Sequence, residues 1–191
     1  MQQGVKHTIK TNGSYYMTMT VVAWADVFTR KNHKQAIVDS LRYCIDQKGL
    51  NVYAYCIMTN HLHLIANCDE PFQLKDTVRD FKRHSARTVL DQIINAPESR
   101  RENLVSIFKN AARESSKSKA FKFWKTGNHA IELYSEKFLW DKINYIHNNP
   151  VSENFVSKPE HWLYSSASNY LEEESILPEI TVVPQMMKTI T

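Results

Sequence analysis

The chain has 191 residues, 42% of them hydrophobic and 11% aromatic, which is enough apolar surface for a buried core and excludes a wholly disordered polymer. Its formal charge of +4, from 24 basic and 20 acidic side chains, permits a nucleic-acid partner without demonstrating one. The N-terminal MQQGVKHTIKTNGS lacks the apolar centre of a secretory signal, no apolar run reaches the roughly 20 residues of a membrane helix, and Cys44, Cys56 and Cys68 lack CxxC spacing, so the expectation is a cytoplasmic protein with no membrane span and free thiols.

The length suits one domain, expected over 1–170, followed by a tail over 171–191 with EEE and two prolines. Residues 15–24, YYMTMTVVAW, are rich in β-branched and aromatic types and predict a strand. From His33 to Lys48, Ile37, Val38, Leu41, Cys44 and Ile45 fall at helical spacing, and Gly49 is placed to end the helix. NVYAYCIM over 51–58 predicts a second strand, Thr59-Asn60 a short turn, and residues 61–66 a third strand. A long helix is expected to start near Asp69 and Pro71 and to reach about Asn95, with Leu74, Val78, Phe81 and Val89 on its inner face. After Pro97 the stretch 97–119 is polar, with a short helix around Leu104, Ile107, Phe108 and Ala111. AFKFWK and HAIELY flank Thr126-Gly127-Asn128 and predict a hairpin. Ser135 can cap a last helix that runs to about Asn148 and is stopped by Pro150. Trp162 and Tyr164, in the aromatic cluster HWLYSSASNY, are expected in the core or under the tail. This order predicts an α+β sandwich: a central antiparallel sheet flanked by helices on one face or both.

Alternate residues of a strand share a face, so His61 and His63 project together while Leu62 and Leu64 face the other layer. Two imidazoles on one face are half a metal site, although eight histidines in the chain make a chance HxH easy to come by. Tyr145 and Asn149 are four apart on the last helix and share a face, a sensible geometry for a nucleophile beside an amide ligand. A core tyrosine and a helix-stopping asparagine are the plainer readings of the same spacing. Basic residues recur at Lys82, Arg83 and Arg87 and again in KSKAFKFWK. There Lys122 and Lys125 could neutralise phosphates while Phe121, Phe123 and Trp124 stack on unpaired bases. A solvated helix face and a half-buried strand would look the same. His129 follows a turn and fits either a DNA contact or a structural role; Lys142, one turn before Tyr145, fits either a phosphate contact or a solvated lysine.

CIMTNHLHLIAN resembles the histidine–hydrophobe–histidine signature of the HUH endonucleases, and NYIHNNPV resembles the tyrosine-bearing segment of the single-tyrosine, REP-associated transposases. FWKTGNHAIEL and PEHWLYSSASNY resemble further motifs of that branch in the same order, so the likeness spans roughly residues 15–170. The resemblance implies a ferredoxin-like HUH fold and cleavage and rejoining of single-stranded, hairpin-forming DNA without ATP. It assigns His61 and His63 as metal ligands, Tyr145 as the nucleophile, and Asn149, where some relatives have Gln, as third ligand. Mg2+ or Mn2+ would be the metal. Related enzymes include dimers that share active sites and also monomers, and location at the nucleoid would follow from DNA as substrate. Two other readings stay open: a metal phosphodiesterase that activates water, needing the histidines but not Tyr145, and a non-catalytic single-strand-binding module with aromatics on an open sheet face.

Overall fold

The chain is described by a computed structural model that covers residues 13–115 and 120–184. The regular elements run β1 (Tyr15–Thr20), α1 (Lys31–Lys48), β2 (Leu50–Ile57), β3 (His61–Cys68), α2 (Leu74–Asn95), α3 (Arg101–Arg113), β4 (Ile131–Glu132) and α4 (Glu136–Ser152). The four strands form one antiparallel sheet in the order β2-β3-β1-β4. That is the α+β sandwich expected, with helices on both faces.

The two-residue alternation of the strands divides the interior in two. Met17, Met19, Leu62 and Leu64 face one way and pack with Ile37 and Leu41 of α1 and with Val78 and Phe81 of α2 in the main core. Tyr16, Ala54, Cys56, Met58 and Ile65 face the other way and meet Ile143 and Ile146 of α4. Helix α1 ends at Gly49, whose φ of 58° is left-handed and whose N–H donates back to the Cys44 carbonyl; a Cβ there would stand 2.8 Å from the Phe72 ring. Cys44 and Cys56 are buried, Cys68 is half-buried, and all three are free thiols, as expected.

Several boundaries differ from the sequence expectation. Asp69 and Pro71 lie in the turn before α2 rather than in its first turn: Asp69 N donates to the Gly49 carbonyl and Phe72 N to the Asp69 carbonyl. The short helix after Pro97 is a full 13-residue α3. The hairpin around Gly127 does not form: Trp124 makes one isolated bridge to Val21, and β4 has only two residues. Phe123 and Trp124 are consecutive yet only 3% and 6% exposed. Both enter the main core against Phe28, which a regular strand with alternating faces could not allow.

Pro150 does not stop the last helix either; α4 continues to Ser152. A proline inside a helix costs about 3 kcal/mol. Burying Ile143 and Ile146 completely against the sheet contributes about 3–6 kcal/mol together, enough to hold the helix through it. Glu153 N then donates to the Asn149 carbonyl at 3.1 Å and closes the end. Residues 171–184, the described part of the expected tail, make contacts with the rest of the chain. Leu177 and Ile180 are in the main core, Thr181 N donates to the Val52 carbonyl, and Arg42 ties down Ile176 and Glu179. Residues 1–12, on which the expected absence of a secretory signal rests, Lys117 and Lys119, and residues 185–191 lie outside the described residues. Among the described residues no helix is long and apolar enough to cross a membrane.

The start of α1 is tied to the α2–α3 connection through Glu98, whose side chain is 2% exposed. Burial would raise this carboxyl, but the Arg30 guanidinium at 3.2 Å, the Arg100 backbone N–H at 2.9 Å and the charge of both arginines hold it down at about 2. A carboxyl held below its unfolded value of 4.5 contributes stability at higher pH and loses it as pH falls toward 2. Glu98→Gln is therefore expected to cost about 1–3 kcal/mol at pH 7 in chemical denaturation. The difference from wild type should shrink between about pH 4.5 and pH 2.

Candidate active site

The register of β1 on β3 sets Thr20 opposite His61 and Thr18 opposite His63. Both imidazoles point to the face that α4 covers, with their Nε2 atoms 3.0 Å apart and their rings at 82°. His61 Nδ1 is 2.7 Å from the Asn60 amide oxygen, and the same amide's nitrogen donates to the Asp26 carboxylate at 2.9 Å. That carboxylate, which also accepts from Thr59 at 2.7 Å, fixes which way the amide points. His61 must then carry its proton on Nδ1 and direct the Nε2 lone pair at the pocket. His63 Nδ1 lies 3.0 Å from the Tyr16 hydroxyl and 3.1 Å from the Thr18 hydroxyl. Hydroxyls both donate and accept, so this pair serves His63 in either tautomer.

Burial holds both imidazoles well below the ordinary histidine value, His61 at about 4 and His63 at about 3, the latter helped by His61 and Lys142. Both rings are therefore neutral near pH 7, the state in which imidazole ligates metal. Two cis positions of an octahedral ion with bonds of about 2.1 Å are separated by about 3.0 Å, so this nitrogen pair fits a divalent cation. Among the described residues no third His, Cys, Asp or Glu completes such a set. The Asn149 amide is on the wall of the same pocket, as are Glu153 and His129.

Helix α4 brings Tyr145 and Asn149 to the same pocket, a 390 Å³ cleft that also includes Tyr16, Thr18 and Glu153. The Tyr145 ring stands edge-on to His63 with centroids 5.6 Å apart, and 49% of the residue is exposed. Tyr16 is buried beside it: burial pushes that phenol up to about 12, against a lowering hydrogen bond from Thr18 and with a smaller raising contribution from Tyr145, and its hydroxyl lies 3.0 Å from His63 Nδ1. The helix is fixed at both ends. Ser135 accepts from Phe138 N at 3.2 Å, and His147 Nε2 lies 2.8 Å from Ser166, whose hydroxyl accepts from Tyr55 N of β2 at 2.9 Å. Lys142 sets its ammonium among three rings, 4.8 Å from Tyr16, 5.6 Å from Phe138 and 5.4 Å from Tyr145. A larger cavity of 620 Å³ between α1 and α2 offers no comparable donor pair and no exposed nucleophile beside one.

His61, His63, Tyr145 and Asn149 are thus brought together, and of the DNA-contact candidates Lys125, His129 and Lys142 gather around them. Lys82 does not: its ammonium donates to the Lys125 and Gly127 carbonyls and braces that loop. Arg83, 3.8 Å from Asp80, and Arg87 are exposed on α2, in the layer opposite the pocket; Lys122 is half-buried and outside the cleft. Phe123 and Trp124 are too buried to stack on bases, and the Trp124 indole N–H is bonded to Ser85. Tyr16, Thr18, Asp26, Asn60 and Trp24 escaped the sequence reading. Only the β1–β3 register would have exposed the first two; Trp24 is expected at the end of a strand over 15–24, but β1 stops at Thr20 and Val22–Trp24 forms a 3-10 turn, and Asp26 lies outside any element the sequence predicts.

A family model described as "Transposase IS200 like" matches residues 10–106, half of the chain. The chain belongs to the IS200-like transposase family. It is a transposase, then, an enzyme of DNA cleavage and strand transfer that acts on single strands. A solved structure of a REP-associated tyrosine transposase bound to a REP hairpin shares its fold, with a TM-score of 0.60 over 98% of this chain and 100% of that one, at 12% sequence identity. No curated protein matches the chain. The bond from Asn60 to the outer nitrogen of His61 can be tested in the transposase directly. Asn60→Ala removes the acceptor that fixes the His61 tautomer and is expected to weaken Mn2+ binding by about 10- to 100-fold in isothermal titration, with the fold unchanged by circular dichroism. Unchanged affinity would show that the Asn60 bond is incidental.

Proposed function

We propose that Tyr145 is the nucleophile of this transposase and that His61, His63 and Asn149 hold its divalent cation. The observation that carries the proposal is the half-exposed Tyr145 phenol set edge-on against His63, beside two imidazoles whose Nε2 atoms are 3.0 Å apart. When bound, the ion would draw electron density from the scissile phosphate and neutralise the charge that develops there. Mg2+ and Mn2+ both suit the chemistry, and the imidazole pair favours Mn2+.

The residues divide the remaining work. The Tyr145 oxygen forms a bond to phosphorus as the bond to the 3′-oxygen breaks. The phenolic proton leaves with solvent, and the departing 3′-oxygen takes one up. The DNA 5′ phosphate is then esterified to Tyr145, which conserves the phosphodiester, so another 3′-hydroxyl can reverse the step and rejoin strands without ATP. Lys142 sets its side-chain nitrogen beside the phenol, and Lys125 and His129 line the approach for backbone phosphates. Hairpin-forming DNA is the substrate favoured here, by analogy with the REP hairpin in the solved relative. Because Tyr145 lies against His63 of its own chain, a site complete within one protomer suffices. A soluble enzyme working at the nucleoid follows from that substrate.

Incubation with hairpin DNA and Mn2+, followed by denaturing electrophoresis, is expected to give a covalent protein–DNA adduct. Tyr145→Phe should abolish the adduct and lower cleavage by about 10³-fold or more, and Lys142→Met should slow it by about 10- to 100-fold. Cleavage by Tyr145→Phe at the wild-type rate would replace the tyrosine with a metal-activated water.

A further inference from the structure

Between β1 and α1 the chain makes a tight 3-10 turn, Val22–Trp24, in which Ala23 and Trp24 both adopt left-handed backbone, with φ of 53° and 54°. Two consecutive residues with a Cβ in that region are unfavourable, and surrounding bonds must impose them. Here Val22 N donates to the Phe123 carbonyl at 2.8 Å, Trp24 N to the Val21 carbonyl and Val27 N to the Ala25 carbonyl, while the Val22, Ala25 and Val27 side chains are buried. The outcome of this restraint is that the indole of Trp24 is held out of the core. It is 57% exposed, on the wall of the Tyr145 pocket, edge-on to His61 with ring centroids 6.3 Å apart. The Lys125 ammonium stands 3.9 Å above its ring, and the loop carrying Lys125 is braced by Lys82.

From this arrangement we infer that Trp24 is a stacking platform for one unpaired base next to the scissile phosphate, with Lys125 on the backbone phosphate of that nucleotide. The inference deepens the function proposed above and rests on it. A flat aromatic surface within one ring's distance of a metal-binding imidazole meets whatever the ion's phosphate carries, and a nucleotide carries a base. A base inside a duplex has both faces covered by its neighbours, whereas an unpaired base has a face free for the indole. Lys125 supplies the cation that a phosphodiester requires, already positioned over the same ring. Trp24 and Lys125 together thus select single-stranded over paired DNA at the cleavage point, a task that the buried Phe123 and Trp124 cannot perform.

The test uses the full chain with Mn2+ and a DNA hairpin carrying single-stranded flanks of mixed sequence, with abasic residues introduced one position at a time. Wild-type affinity, read by fluorescence anisotropy, is expected to fall about tenfold at one abasic position in a flank. Trp24→Ala should lose about as much on the intact DNA and be indifferent to that abasic site, and Trp24→Phe should recover most of the loss. Titration of Mn2+ without DNA should be the same for Trp24→Ala as for wild type, which a general collapse of the pocket would not allow. The inference is overturned if Trp24→Ala keeps wild-type affinity and abasic sensitivity, if it weakens binding to a blunt duplex as much as to the flanked hairpin, or if it changes the oligomeric state instead. The Tyr145 adduct is scored in parallel on wild type: its absence there counts against the nucleophile, while the abasic profile reports on Trp24 alone.

Discussion

Two neutral imidazoles with nitrogens 3.0 Å apart are the constraint around which the site is arranged. Bringing them so close on one strand face buries His63 and half-buries His61, and satisfaction of their outer nitrogens makes that tolerable. The protein does this from two directions. Asn60 serves His61 from the turn before β3, itself held by Asp26 of the β1–α1 connection, and Tyr16 and Thr18 serve His63 from β1. The same burial that lowers their basicity keeps the lone pairs available. The site is therefore assembled by sheet register as much as by the HxH spacing itself.

Helix α4 supplies the other half. Its apolar residues Ile143 and Ile146 seat it on the sheet, and His147 locks it to β2 through Ser166. Tyr145, between those anchors in sequence, is left on the rim with its ring against His63. The motif NYIHNNP thus combines two jobs on opposite sides of one helix, with Tyr145 and Asn149 turned to the cleft and Ile146, His147 and Pro150 turned to the sheet.

Much of this was legible in the sequence. Strand alternation put His61 and His63 on one face, helical spacing put Tyr145 with Asn149, and Gly49 marked the end of α1. The four ordered motifs supplied the fold and family. What stayed hidden was long-range. The supports of His63 come from a strand some 45 residues earlier, joined by pairing that no local pattern encodes. FKFW reads as a strand, but tertiary packing draws Phe123 and Trp124 inward together. Lys82 reads as a free DNA contact, yet two carbonyls of a distant loop occupy it. Pro150 reads as a stop, yet the burial of its neighbours outweighs its cost. The exposed Trp24 rests on left-handed backbone at Ala23 and Trp24, types that carry no signal for it.

The most direct test of the paired imidazoles is pulsed electron paramagnetic resonance of the Mn2+-loaded protein, which counts directly bound nitrogens through their hyperfine couplings. Two histidine nitrogens are expected in the wild type, one in His61→Gln and one in His63→Gln. A wild-type spectrum without histidine nitrogen coupling would contradict the account, because the geometry on which Tyr145 depends would then serve no ion.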